Sequence, residues 1–132
     1  MRTIGTIAYF AGVDPIILTK LVINGINTLP VSNGWDNHGK FICHITPEDH
    51  VCGVIGYLHK VIPVHGVQMT PIDVLFTCCT HKIPVYLAAP AECIKEAKDL
   101  IAGTGENVEI VTPDELYDKA MRCLKQTVGK KK

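Results

Sequence analysis

Three segments of this chain open in the same way. Thr46-Pro47-Glu48-Asp49, Thr70-Pro71-Ile72-Asp73 and Thr112-Pro113-Asp114-Glu115 each set a threonine before a proline and follow it with acid. A threonine there can cap the exposed amides of a helix start. Proline fits the first helical position, where its missing N–H costs nothing. Acids in the first turn suit the positive end of the helix dipole. Asp14-Pro15 has the same form, and Ala89-Pro90-Ala91-Glu92 is a weaker version. Together these signals predict about five helix starts.

Short apolar runs lie between them. Thr3 to Phe10, Phe41 to Ile45, Ile83 to Ala88 and Val108 to Val111 read as strands, rich in β-branched residues and bounded by glycine and proline. Helices are predicted from Pro15 to about Asn27, Pro47 to about Val61, Pro71 to about Thr80, Ala91 to Ala102 and Pro113 to about Gln126. Their inward stripes include Leu18, Leu21 and Val22, then Val51, Val54, Ile55 and Leu58, then Ala97 and Leu100, and finally Leu116, Ala120 and Leu124. Thr28 to Lys40 is full of turn formers around Trp35 and reads as an irregular loop or small arm.

Strands alternating with helices specify an α/β fold: a three-layer αβα arrangement on a mostly parallel sheet of four to five strands, flavodoxin- or Rossmann-like. At 132 residues the chain is expected to form a single domain over 1–129, with the basic tail Lys130-Lys131-Lys132 outside it.

Composition narrows the function classes. Basic and acidic residues balance at 13 each, so no cationic footprint for nucleic acid is expected. No apolar run is long enough to span a bilayer, and no membrane partner is expected. The six cysteines lack the spacing of a secreted disulfide framework, which points to a reducing compartment, the cytoplasm. Hydrophobic residues make up 47% of the chain and charged ones only 20%. A small globule cannot hide that much apolar material alone, so a homo-oligomer is expected.

Open parallel sheets bind ligands beyond the carboxyl ends of their strands, near helix N-termini. Gly12, Asp14, His44, Thr46, His50, Glu92 and Thr112 are the candidate ligand-binding residues for that edge, and a small anion is the ligand class such an edge suits. No Gly-x-Gly-x-x-Gly turn or Walker loop is present, so the cofactor question stays open. Cys43, His44, His50 and Cys52 cluster in sequence but lack zinc-site spacing, and no metal site is expected. Cys78, Cys79 and Cys123 read as small core residues. His59 and His65 flank an apolar stretch that suits a subunit boundary. Cys93 falls in the first turn of a helix directly after a strand, a position that favours a reactive thiolate, and it is the candidate catalytic residue.

From Thr70 to Cys123 the layout resembles the DsrE/DsrF-like sulfur-relay family. The shared features are a helix, then the strand Ile83-Pro84-Val85-Tyr86-Leu87, then a cysteine near the next helix start. Asp14-Pro15 after the first strand is also similar. The resemblance implies that Cys93 would carry persulfide sulfur. Here Ala88-Ala89-Pro90-Ala91-Glu92 separates the strand from that cysteine, whereas the family's cysteine usually follows its strand immediately. Three readings follow: a thiol or sulfur-handling protein, a small-ligand binding module, and an assembly subunit.

Overall fold

The central strands of this chain are apolar on both sides, and the two sides feed two separate cores. The computed structural model describes residues 5–33, 39–62 and 71–129. Among them, six strands form one parallel sheet: β1 (Thr6–Tyr9), β2 (Asn27–Ser32), β3 (Lys40–Phe41), β4 (Val51–Tyr57), β5 (Val85–Ala88) and β6 (Val108–Val111). Their order is β3-β2-β1-β4-β5-β6. Of the two architectures expected, this is the Rossmann order, not the flavodoxin one. The helices are α1 (Pro15–Ile23), α2 (Pro71–Val74), α3 (Phe76–Thr80), α4 (Ile94–Leu100) and α5 (Leu116–Gly129).

Successive strand residues point to opposite faces. Ala8, Val54, Leu87 and Ile110 pack with Val74, Leu75 and Cys78 beside α2 and α3, and with Ala97 of α4. Their neighbours Ile7, Ile55, Ala88 and Val111 pack with Leu21 of α1 and with Leu116, Ala120 and Leu124 of α5. The result is the expected three-layer αβα fold, with six strands in place of four to five.

The largest correction falls on residues 47–61, expected as a helix. The capping contact does form there: the Thr46 amide donates to Asp49 Oδ2 at 2.8 Å, as the Thr112 amide donates to Glu115 Oε1 at 2.9 Å. But the turn stops after Pro47–Asp49, because His50 takes a left-handed φ of 55° and turns the chain into β4. Val51, Val54 and Ile55 look helical in spacing, yet Val54 and Ile55 serve opposite faces of a central strand. Two glycines confirm the strand's crowding. A Cβ on Gly53 would lie 2.6 Å from Cys123 Sγ, and one on Gly56 would lie 2.8 Å from Phe10 Cδ2.

Two smaller corrections concern the same edge of the sheet. The strand expected from Phe41 to Ile45 is only Lys40–Phe41, and Ile42–His44 is a 3-10 turn. Ile42 and Ile45 are buried, so this segment covers the sheet where a helix would otherwise lie. The predicted loop after Thr28 contains most of β2. Pro30 is tolerated there because β3 pairs only with Val31 and Ser32, so no ladder bond from its nitrogen is needed on that side. Helix α1 ends at Ile23, earlier than expected, because Gly25 takes φ 82° just beyond the cap. Val22 and Leu100, expected inward, are exposed. Trp35, His65, Thr70 and the 130–132 tail lie outside the described residues.

Candidate functional site

The chain moves one way across the sheet from β1 to β3 and the other way from β4 to β6. Such a reversal opens a crevice at the strands' carboxyl ends. Beside it, at the ends of β4 and β5, lies a cleft of about 570 Å³. One wall is Tyr57, Leu58, His59 and Ile62, which follow β4. The other is Ala89, Pro90, Cys93 in the turn before α4, and Glu96 and Leu100 on α4 itself. Ala88 and Pro113 are also among its lining residues.

Local geometry builds each wall. Tyr57 pairs with Ala88 on the last rung between β4 and β5. The 3-10 turn Leu58–Lys60 then folds His59 back beside Tyr57, with ring centroids 6.0 Å apart and planes 15° apart. Asn33 is buried at the end of β2, and its amide donates to the Lys60 carbonyl at 2.7 Å. That bond ties the turn to the sheet. Opposite, the Cys93 amide donates to the Pro90 carbonyl at 2.8 Å and closes the 3-10 turn that leads into α4. Cys93 and Glu96 are three residues apart, so they share one side of the helical segment. The polar side chains in the lining are those of Tyr57, His59, Cys93 and Glu96, and the rest are apolar.

Cys93 is the exposed cysteine of the six, all of which are free. Burial pushes the Cys78 and Cys123 thiols up to about 12. Burial also raises those of Cys43 and Cys79. Cys79 Sγ makes a very short contact with the Thr104 carbonyl, and Cys43 Sγ lies 3.5 Å from the Asp73 carbonyl. Cys78 and Cys123 sit in the two cores, as expected.

The other candidate residues lie outside the lining of the cleft. Gly12 follows β1 with φ 94°, and a Cβ there would lie 3.7 Å from Lys60 Cε and 3.9 Å from Tyr57 Cδ2. It therefore borders the crevice. Asp14 Oδ1 accepts from the Ile16 amide at 2.9 Å and caps α1. Thr112 donates through both its amide and its hydroxyl to Glu115 Oε1. Glu92 is exposed on the turn that carries Cys93 but is not among the lining residues.

His44, Thr46 and His50 do not line this cleft. His50 immediately precedes β4, whose first residue Val51 pairs with Thr6, so it lies at the strands' amino ends. His44 is exposed and meets the Phe41 ring edge-on at 5.0 Å. Asp49, hydrogen-bonded to the Thr46 amide and to Lys40, has its carboxyl held below the ordinary range. Among the described residues, no three histidine, cysteine or acidic side chains gather as metal ligands. No helix among them is long and apolar enough to cross a membrane.

Tyr57 and Glu96 belong to the cleft but were not singled out from sequence. His59 was, though as a boundary residue. With 47–61 read as a helix, Tyr57 had no strand end to occupy. No protein-family model matches the chain, and no curated protein is similar to it at a significant level.

Proposed function

We propose that this protein is a cytoplasmic binding module that holds a small ligand in the cleft over the carboxyl ends of β4 and β5. The supporting observation is the cleft itself: about 570 Å³, largely apolar, beside the switch point of a Rossmann-ordered sheet. The ligand's apolar body stacks on the Tyr57 and His59 rings. An anionic end belongs toward Gly12 and Lys60, away from the Glu96 carboxylate on the opposite wall. The test is thermal denaturation with indole, benzoate and benzylamine. Benzoate should stabilise most, and Lys60→Gln should remove its advantage over indole. A ligand at a hundredfold its dissociation constant stabilises by about 2.7 kcal/mol. A panel with no shift would count against the reading.

A second reading is favoured by the exposure of Cys93 within the same cleft. In it, the Cys93 thiolate attacks the outer sulfur of a donor persulfide, the donor leaves as a thiolate, and Cys93 becomes the persulfide. This is the chemistry implied by the DsrE/DsrF-like resemblance. Incubation with a low-molecular-weight persulfide should then leave one cyanide-labile sulfur per chain, absent in Cys93→Ser. No labile sulfur in the unsubstituted protein would remove this reading.

A further inference from the structure

The pairing of β1 with β4 slips by one residue. Thr6 stands opposite Val51, but the next residue, Ile7, stands opposite Gly53. Cys52 is therefore the extra residue of a β-bulge in β4. A bulge breaks the alternation of faces and re-aims a side chain. The break is visible in the packing. Val51 and Val54 pack in the core on the side of α2, α3 and α4. Cys52 and Ile55 pack in the other core, with α1 and α5. Gly53 faces that way too, since a Cβ on it would lie 2.6 Å from Cys123 Sγ of α5. Two successive residues of β4 thus face α5.

The bulge aims Cys52 at the segment that carries Cys123. A Cβ on Gly5 would meet both Cys52 Sγ and Leu124 Cδ2 at 2.8 Å, so the Cys52 sulfur lies beside the residue that follows Cys123. Cys123 Sγ in turn lies over Gly53, the residue that follows Cys52. Glycine at both 5 and 53 leaves the space that the two sulfurs fill. The pair is asymmetric. Cys52 is half-buried, whereas Cys123 is buried and donates to the Ala120 carbonyl at 3.1 Å. Burial first, and the neighbouring Cys52 second, push the Cys123 thiol up to about 12.

We propose that Cys52 and Cys123 are a redox pair, which hydrogen peroxide closes into a disulfide that ties the start of β4 to α5. Cys52 is the accessible sulfur and attacks one peroxide oxygen. The O–O bond breaks, Cys52 becomes a sulfenic acid, and the other oxygen leaves as water with the thiol proton. The Cys123 sulfur then attacks the Cys52 sulfur. The S–O bond breaks, and a second water leaves with the Cys123 proton. Two thiols are oxidised to one disulfide while one peroxide is reduced to two waters. Disulfides of cytosolic proteins are usually transient and catalytic or redox-sensing, which suits the compartment proposed above. The inference does not depend on what the cleft binds.

Peptide mapping of the full chain tests it. The folded, dilute protein is treated with hydrogen peroxide, then denatured, alkylated and digested without reductant. Cys52 should be found joined to Cys123, and dithiothreitol should return both to alkylable thiols. Cys52→Ser should abolish the link. The same treatment in concentrated urea should lose the preference for this pair, because the fold is what brings it together. Oxidation of the exposed Cys93 with Cys52 and Cys123 both still alkylable would overturn the proposal. So would a disulfide from either residue to a different cysteine, or a Cys52–Cys123 link formed equally well in urea.

Discussion

The Tyr57 and His59 rings lie nearly parallel, 6.0 Å apart, at one wall of the cleft. Tyr57 is held by the last rung of the central sheet, whereas His59 projects from a 3-10 turn and is exposed. The two can therefore be separated by mutation. His59→Ala should leave stability within about 0.5 kcal/mol, as for most surface substitutions. It should weaken binding of an aromatic probe several-fold, because stacked ring contacts contribute about 0.5–1.5 kcal/mol. Parallel urea unfolding and indole titrations would check both halves.

Cys93 should be the first thiol to react in the native protein. It is exposed, while burial holds Cys43, Cys78, Cys79 and Cys123 in their neutral forms. Iodoacetamide labelling followed by peptide mass analysis should find Cys93 modified ahead of all others. Uniform labelling that appears only after denaturation would contradict the placement.

Gly56→Ala should destabilise the fold. Its new Cβ would meet Phe10 Cδ2 at 2.8 Å and Phe10 Cβ at 3.1 Å, and Phe10 is fully buried. Overpacking of this kind costs about 1–3 kcal/mol. Loss of the glycine's freedom in the unfolded chain returns about 0.4–1 kcal/mol. A lower urea midpoint with an unchanged slope is the expected result.

Acid should loosen the last helix before it affects the core. The Glu115 carboxylate accepts from the Thr112 amide and hydroxyl, and the amide bond chiefly holds its pKa below the ordinary 4.5. A depressed folded pKa means the contribution is present above 4.5 and is lost as pH falls through the lower folded value. Glu115→Gln should flatten the acid side of a stability-versus-pH curve between those values. It should change little at neutral pH beyond the lost charge–amide bond.

Much of this architecture was legible because independent signals agreed. Asp14-Pro15 capped α1 as read, Val108–Val111 is β6, and the inward set of α5 was recovered at Leu116, Ala120 and Leu124. The failure at 47–61 has one cause. The Thr-Pro-Glu-Asp signal marks a capped turn, and a capped turn is not always followed by a helix. At Glu115 the chain continues into α5, but at Asp49 the left-handed His50 diverts it into a strand. Glycines at 53 and 56, poor helix formers, carried that information locally. What they made room for, Cys123 and Phe10, lies far away in the chain. The same error put His50 at the wrong end of the sheet and hid Tyr57 from the site.

The proposed binding over the carboxyl ends of β4 and β5 can be followed residue by residue, through amide chemical shifts of the isotope-labelled protein during titration with benzoate. Perturbations are expected at 57–62, 88–93 and 96–100, with a further effect at Gly12. Perturbations confined to 44–50, or none at any benzoate concentration, would contradict it.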